Sequence, residues 1–279
     1  MKGGAAYPIR MQYTKRGKVR WISHRDVARA FERAFRIAQL PLAFTEGFSP
    51  RPKVSFGLAL STGYESDAEY LDVELASDVD PGSLPAVVTD ALPPGIDVVG
   101  AAALVERAPA LMDAVTAVEW QVVVTHDDNT LVDRSRFASV VDAALAMPAL
   151  ETTRRRKGRE VVEDVKPVIA RLDVHEHMCT MELRTQPRSA KPGDVLAAIA
   201  SATAVAGGLA EAHVLRTHQW IERDGARHEP LRTDTRPRTD VTSVRDEHKG
   251  MFDVQREPDA GTLAGVATVP SRLGGGRYD

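Results

Sequence analysis

The sequence contains a single cysteine, Cys179, among its 279 residues. One cysteine cannot form an internal disulfide, and it cannot supply the paired thiolates of a CxxC-type zinc or iron–sulfur site. The sequence also has no glycine-rich loop of the kind that cradles nucleotide phosphates. We therefore expect a protein that binds no cofactor and no metal ion.

Long apolar runs are missing as well. No segment approaches the roughly 18 consecutive apolar residues that a membrane-spanning helix needs. Residues 1–10 lack the apolar core and the small-residue cleavage site of a secretory signal. The sequence therefore predicts a cytoplasmic protein that does not contact a membrane.

Lysine and arginine are absent from residues 56–100, which hold nine Asp and Glu residues. Residues 1–55 show the opposite bias, with twelve Lys and Arg residues against three acidic ones. The net charge of −3 hides these two blocks because they cancel. Two explanations stay open: the basic block binds the phosphates of a nucleic acid, or it pairs with the acidic block that follows it.

The strand and helix signals of residues 8–108 follow the order β-α-β-β-α-β. A strand or strand pair is predicted over residues 10–22 with a turn at 15–18, and Ser23 is a candidate N-cap for a helix from His24 to Ala38. The other predicted segments are extended chain at 42–44, 54–60 and 68–75, a short helix at 83–92 and a strand at 96–105. This order is the split β-α-β arrangement of the ferredoxin-like fold.

Residues 116–222 repeat the pattern. Strands are predicted at 120–125, 161–169, 172–183 and 212–221, and helices at 134–147 and 193–201. The chain is therefore predicted to be an α+β protein of two tandem ferredoxin-like (split β-α-β) domains, 8–108 and 116–222, joined near Pro109. Residues 231–279 have only Phe252 and Tyr278 as aromatics and many charges of both signs, so a disordered C-terminal tail is predicted there.

The predicted helix from His24 to Ala38 has two distinct faces. Its apolar residues repeat at the spacing of a buried stripe, while four arginines fall within an arc of about 80° on the other side. With basic residues on either side of the helix, they form a candidate RNA-binding surface. The candidate RNA-binding residues are Lys15, Arg16, Lys18, Arg20, Arg25, Arg29, Arg33, Arg36, Phe48, Arg51 and Lys53.

Two further features have open interpretations. In the loop from Gly47 to Lys53, which two prolines make rigid, Phe48 either stacks on an RNA base or fills the protein core. The run from Arg154 to Arg159 holds four arginines and one lysine, and it is either a hairpin tip that touches RNA or a solvated turn.

His24 is the one weak catalytic candidate, because an unperturbed histidine titrates near neutral pH. The neighbouring Asp26 is expected to cap the helix, and no nucleophile accompanies the pair. His175 and His177 alternate on a predicted strand, but a third ligand at a known spacing is missing, so no metal site is predicted. Cys179 is expected to lie in the core.

Four motifs of the first half carry a family resemblance. They are Gly17-Lys18-Val19-Arg20-Trp21-Ile22-Ser23-His24-Arg25-Asp26, Phe31-Glu32-Arg33-Ala34, Gly47-Phe48-Ser49-Pro50-Arg51-Pro52-Lys53 and Glu65-Ser66-Asp67-Ala68-Glu69-Tyr70-Leu71-Asp72. Together they resemble the radical-SAM-linked family of bacterial proteins, a domain of unknown function that occurs fused behind a radical SAM enzyme or as a separate chain. The resemblance implies a separate radical SAM enzyme as partner. This chain has no CxxxCxxC and cannot hold the cluster of such an enzyme itself.

These observations predict an RNA-binding accessory protein that acts with a separate radical SAM enzyme in tRNA or rRNA modification or processing. RNA as the target follows from the basic block and from the predicted fold. Two alternatives remain: a protein–protein adaptor for a radical SAM enzyme without RNA contact, and an RNA-processing or RNA-modifying enzyme with a ferredoxin-like fold.

Overall fold

A computed structural model describes residues 6–104, 109–156, 158–223 and 225–231. These residues form a mixed α+β structure with a core made mostly of sheet and a small number of helices, as the sequence predicts for the α+β class. Apart from Leu231, the tail predicted at 231–279 lies outside the described residues. Within the described ranges, the helices are too short and too polar to span a bilayer.

The first half of the chain supplies four strands to one end of a large sheet. Its elements are β1 (Tyr7–Lys15), α1 (His24–Ile37), β2 (Val54–Phe56), β3 (Glu65–Leu75), α2 (Leu84–Thr89) and β4 (Ile96–Ala103). The strands lie in the order β4-β1-β3-β2, and each neighbouring pair is antiparallel. A single-turn helix, α3 (Leu111–Ala114), follows in the connection to the second half.

The second half builds the same strand order around an inserted ribbon. Its elements are β5 (Ala117–Thr125), α4 (Arg134–Ala146), β6 (Glu151–Arg156), β7 (Arg159–Asp164), β8 (Ile169–His175), β9 (Met178–Arg184), α5 (Pro192–Thr203), β10 (Ala210–Arg223) and β11 (Ala226–His228). The sheet order is β10-β5-β9-β8, again antiparallel throughout, while β6 and β7 form a separate two-stranded sheet. The two halves share one sheet because β10 pairs with β3 in parallel.

Two predicted strands end earlier than the sequence indicated. The strand expected over residues 10–22 stops at Lys15, because Gly17 takes a positive φ of 68° and Gly17–Trp21 forms a 3₁₀ helix. The strand expected over 161–169 is divided by a 3₁₀ turn at Lys166–Val168. Pro167 lies in that turn and has no N–H to donate to a ladder, so the segment before the turn pairs with β6 and the segment after it with β9.

The helix α1 follows its sequence pattern closely. Ser23 Oγ accepts a hydrogen bond from the backbone N–H of Asp26 at 3.3 Å, which confirms the predicted N-cap. Val27, Phe31, Ala34 and Phe35 are buried, as expected for the apolar stripe. Because this stripe faces the sheet, the opposite side of α1 faces solvent.

Two apolar cores lie side by side under the helices. One joins α1 and α2 to the first half of the sheet, and the other joins α4 and α5 to the second half. Cys179 is buried in the second core, and burial raises the pKa of its thiol to about 12. A third, smaller cluster contains Leu231, which packs with Tyr70 and Leu111. The folded part of the chain therefore extends at least through Leu231, the first residue of the predicted tail.

The junction between the two halves is polar and buried. Arg216 of β10 is 3% exposed and donates to Glu69 Oε1 of β3 at 2.8 Å. Its guanidinium also donates to the carbonyl oxygens of Leu58 and Ala59 at 2.9 and 3.2 Å. It lies over the ring of Trp120, 4.7 Å from the centroid. One side chain therefore contacts β3, β5 and the loop before β3.

We expect Arg216→Met to lower the free energy of unfolding by about 3–5 kcal/mol, because it leaves the Glu69 carboxylate buried without its cation. Urea denaturation measures the change. Arg171→Met is the control, since the Arg171 side chain is 54% exposed in its ion pairs and should cost less than about 1 kcal/mol.

Adding Glu69→Leu to Arg216→Met should recover part of the loss, since the stranded charge is then gone. A full loss in the double variant would show that the backbone hydrogen bonds of Arg216, and not its ion pair, hold the junction.

Candidate nucleic-acid interface

The solvent side of α1 carries a row of arginines. Arg25, Arg29, Arg33 and Arg36 are all exposed. Arg29 contacts the carboxylate of Asp26 at 3.3 Å, one turn away. The other three form no ion pair with any residue that the structure describes. We call these four residues the α1 arginine row.

An exposed tryptophan stands at the beginning of α1. Trp21 is 63% exposed, and the guanidinium of Arg20 lies 5.0 Å from the centroid of its ring. The ring rests against Gly63, where a Cβ would come within 3.0 Å of it. Sequence reasoning missed Trp21 because it treated this residue as part of a strand. Gly17 is the sequence signal that could have revealed it, because glycine readily takes the positive φ that ends the strand here.

The loop from Gly47 to Lys53 forms the tip of a short hairpin beside β3. The backbone N–H of Thr45 donates to the carbonyl oxygen of Arg51 at 2.8 Å, and the N–H of Arg51 donates back to Thr45 Oγ1. Phe48 is fully exposed at the tip, so the interpretation in which it fills the core is wrong. Arg51 is exposed beside it.

Several predicted RNA-binding residues are occupied within the protein instead. Lys15 is 2% exposed, and its Nζ donates to the carbonyl oxygens of Arg20 and Ile22 at 3.1 Å. Burial lowers the pKa of Lys15. Arg16 binds both carboxylate oxygens of Asp67, at 2.7 and 2.5 Å. Lys15 therefore has to be removed from the predicted surface, since its ammonium group is enclosed by protein.

The acidic block also engages Arg20 and Lys53. Arg20 lies 3.7 Å from Glu65, and Lys53 pairs with Glu74 at 2.7 Å. Pairing with the acidic block thus accounts for part of the basic block, and phosphate binding stays a prediction for the rest. The basic residues with carboxylate partners in the acidic block are Arg10, Arg16, Arg20 and Lys53. Apart from the buried Lys15, those for which the structure describes no such partner are Lys18, Arg51 and the α1 arginine row.

Glu65 is the centre of a charge cluster that includes residues of both halves. Its carboxylate accepts from the backbone N–H of Gly17 at 2.9 Å and lies 3.1 Å from His213 Nε2. Arg16 and Arg20 lie at 3.5 and 3.7 Å. Burial would raise the pKa of Glu65, but the hydrogen bond from His213 and the surrounding positive charge lower it to about 2.

His24 is exposed at the first turn of α1, with its ring edge against Phe56 at a centroid distance of 5.3 Å. No described residue forms a hydrogen bond or an ion pair with its imidazole. His175 and His177 do not share a strand, because β8 ends at His175 and His177 lies in the turn before β9. Within the described part of the chain, no three His, Cys, Asp or Glu side chains are grouped as metal ligands.

In comparisons with known proteins, the chain matches one family model and has low similarity to several solved structures. Residues 8–192 match the model of a family described as "Uncharacterized protein conserved in bacteria (DUF2344)". No curated protein matches the chain. Solved structures with some similarity include a Cbf5-Nop10-Gar1 complex, with a TM-score of 0.43 and 10% identity over 76% of this chain and 48% of the other.

Two further structures are similar at a lower level. The archaeal box H/ACA sRNP Nop10-Cbf5 complex has a TM-score of 0.39 and 11% identity, over 76% of this chain and 47% of the other. An H/ACA RNP bound to a substrate RNA containing 2′-deoxyuridine has a TM-score of 0.35 and 9% identity, with the same two coverages, 76% and 47%. This chain therefore spans about half the length of the chains that it matches.

The Glu65 cluster should make the protein sensitive to acid. The pKa of Glu65 in the folded protein, about 2, lies below the ordinary value of 4.5. The ionised carboxylate therefore stabilises the fold fully above about pH 5, and this contribution to the free energy of unfolding disappears as the pH falls towards 2. We expect a loss of about 2–3 kcal/mol over this range. Urea denaturation at several pH values measures it, and Glu65→Gln should be less stable at neutral pH and flatter below pH 5. An unchanged acid dependence in Glu65→Gln would contradict this assignment.

Proposed function

The chain belongs to the bacterial family whose model it matches, described as uncharacterized proteins conserved in bacteria, and we propose that it is an RNA-binding accessory protein. One observation carries the proposal: the α1 arginine row is exposed, while most other basic residues of the first half are neutralised by carboxylates. Four exposed arginines of the first half thus lie on one helix face, and the exposed ring of Trp21 lies just before that helix.

The residue types around α1 suit a flexible, unpaired stretch of RNA. Guanidinium groups donate two parallel hydrogen bonds to phosphate oxygens, and they remain charged at all physiological pH values. Exposed aromatic rings such as Trp21 and Phe48 stack on unpaired bases, which contributes about 1–3 kcal/mol for each base. The proposed RNA-binding residues are therefore Lys18, Trp21, Arg25, Arg29, Arg33, Arg36, Phe48 and Arg51.

We also propose that each half is a ferredoxin-like domain. In each half the fourth, first, third and second strands of the sheet lie side by side, which is the order expected of a split β-α-β unit pair. Tandem domains of this kind recur in RNA-binding and RNA-processing proteins. That likeness is an analogy of fold and adds little to the charge argument.

The proposed partner is a separate radical SAM enzyme, inferred from the family resemblance of the first-half motifs. In this arrangement the enzyme carries the cluster and performs the chemistry, and this chain presents the RNA, a tRNA or an rRNA in the cytoplasm. The adaptor alternative keeps the same partner but assigns the α1 face to protein contact. It predicts that removal of the arginines leaves RNA binding unchanged.

Replacing Arg25, Arg29 and Arg36 together with Gln should weaken RNA binding without unfolding α1, since Gln is nearly as good a helix former as Arg. The slope of log affinity against log salt should shrink by about 0.7 for each single-strand phosphate that the variant no longer binds. Fluorescence polarisation with a labelled single-stranded RNA at several salt concentrations measures both effects.

The matched control removes the same charge elsewhere. Arg134, Arg136 and Arg223 are exposed, lie in the second half and form no ion pair with a described residue, so their replacement by Gln should leave the slope unchanged. If both triple variants lost RNA affinity equally, the loss would come from the total charge of the protein and not from the α1 arginine row. Wild-type binding by the α1 variant would favour the adaptor alternative.

His24→Ala separates the accessory role from the enzyme alternative. His24 is exposed and has no hydrogen-bond partner among the described residues, so its loss should change RNA binding only modestly. Purified protein alone should neither cleave nor modify total RNA, as gel analysis and nucleoside mass spectrometry can show. Unaided turnover that falls by about 10² to 10⁴ in His24→Ala would overturn the accessory role, since that is the usual contribution of a general acid or base.

A further inference from the structure

The ammonium group of Lys15 is bound to the backbone on both sides of Trp21. Its Nζ donates to the carbonyl oxygens of Arg20 and Ile22, each at 3.1 Å, and these are the residues immediately before and after Trp21. Lys15 is 2% exposed, whereas Trp21 is 63% exposed. The buried lysine therefore fixes the segment of backbone from which an exposed ring projects.

Gly63 supports the same segment from the loop before β3. Its backbone N–H donates to the carbonyl oxygen of Arg20 at 2.8 Å, so this carbonyl accepts from both Gly63 and Lys15. A Cβ at Gly63 would lie 3.0 Å from Cζ3 of Trp21 and 3.5 Å from its Cη2. The ring therefore rests where a residue larger than glycine would push it away.

A charged group completes the support of the ring. The guanidinium of Arg20 lies 5.0 Å from the centroid of Trp21 and 3.7 Å from the carboxylate of Glu65. Glu65 also accepts from the backbone N–H of Gly17, at the beginning of the 3₁₀ helix that contains Trp21. Contacts from β1, from β3 and from the loop before β3 thus position one ring that faces solvent.

A lysine is a costly way to satisfy these two carbonyl groups. Burial disfavours its charged form and lowers the pKa of Lys15. The 3₁₀ helix Gly17–Trp21 has no buried residue, and carbonyl groups at the end of such an exposed turn can bind water instead. What the ammonium adds over water is a fixed geometry of the backbone around Trp21.

A fixed ring is a better surface for stacking than a mobile one. When binding has to order a flexible segment, the conformational entropy that is lost is comparable to the gain from stacking one base. A segment that is already ordered in the free protein avoids this loss. The contacts around Trp21 therefore favour stacking on a base without adding any contact to RNA.

We propose that Lys15 is a positioning residue for Trp21, and that together with Gly63 it holds the ring as a preformed platform for one unpaired base. This inference rests on the proposed RNA-binding function and specifies how one part of that surface works. The α1 arginine row binds phosphates, whereas the platform binds a base and is insensitive to salt. Lys15 acts only through Trp21 and does not touch the RNA.

The test compares two strands of equal length: a single-stranded oligouridine and the same ribose-phosphate chain without bases. Trp21→Ala should weaken binding of the oligouridine about tenfold, and Lys15→Met should cause most of the same loss. Binding of the strand without bases should stay unchanged in both variants. Their salt slopes should also equal that of the wild type, because no phosphate contact is removed. Fluorescence polarisation at several salt concentrations measures all four quantities.

The double variant distinguishes positioning from a general effect on the fold. If Lys15 acts through Trp21, Lys15→Met should cause no further loss of oligouridine affinity in a protein that already carries Trp21→Ala. Additive losses would contradict the proposal, because Lys15 would then act independently of the ring.

Lys18→Met is the matched lysine control. Lys18 is exposed and belongs to the proposed phosphate-binding residues, so its loss should weaken both strands equally and lower the salt slope by about 0.7. The two lysines thus give opposite results with the strand that lacks bases.

Gly63→Ala tests the second support and keeps the proposal testable if Lys15→Met does not fold. The added Cβ should displace the ring and weaken oligouridine binding about three- to tenfold, with the strand without bases unaffected. Gly225→Ala is its control, since Gly225 also has a positive φ, 73°, and a Cβ there meets no described atom within 4 Å. It should bind both strands like the wild type.

The outcomes separate this inference from the proposed function. A wild-type protein that binds both strands equally, with a loss in the α1 triple variant, would support the function and overturn the platform. Folded Lys15→Met and Gly63→Ala variants with wild-type affinity for the oligouridine would also overturn the platform, as would equal losses for both strands. A wild-type protein that binds neither strand would overturn the function and the platform together.

Discussion

The structure depends on one buried ion pair, between Arg216 of β10 and Glu69 of β3. The two strands come from opposite halves of the chain, and only Leu215 with Glu65 and Arg216 with Ser66 are paired in the parallel ladder between them. A ladder this short contributes little, so side chains must supply the rest of the junction. Arg216 does so by binding a carboxylate, two carbonyl oxygens and the face of Trp120 at once. A buried charge with this many partners fixes geometry, because any shift of one half leaves groups unsatisfied.

The position of β3 explains part of the cluster of carboxylates in residues 56–100. Glu65, Asp67 and Glu69 all belong to β3, the strand at the boundary between the halves, where their partners are Arg16, Arg20, His213 and Arg216. Most of the acidic charge on β3 is therefore consumed by structural contacts. The α1 arginine row lies on the solvent side of its helix, turned away from the sheet, and none of these carboxylates neutralises it. The α1 arginine row stays exposed because the fold pairs the carboxylates of β3 with other basic residues.

Local structure was predictable from the sequence wherever the decisive interactions are local. The cap at Ser23, the buried stripe of α1 and the exposure of its arginines all depend on residues within a few turns of one another. The junction was not predictable, since Glu69 and Arg216 are 147 residues apart and nothing in either neighbourhood marks them as partners. Lys15 is a residue that the sequence predicted to be exposed and that the structure buries. Its sequence context is that of a surface lysine, yet the 3₁₀ helix after Gly17 folds two carbonyl groups over its ammonium.

The chemistry of the α1 arginine row follows from where the fold places it. The buried stripe fixes one side of α1 against the sheet, and the carboxylates of β3 are already bound by other basic side chains. The arginines on the other side of the helix therefore keep their charge exposed, near the exposed ring of Trp21 at the start of the helix. Guanidinium groups and exposed aromatic rings are the groups that bind phosphates and stack on unpaired bases, and here the fold, not the overall composition, leaves them available.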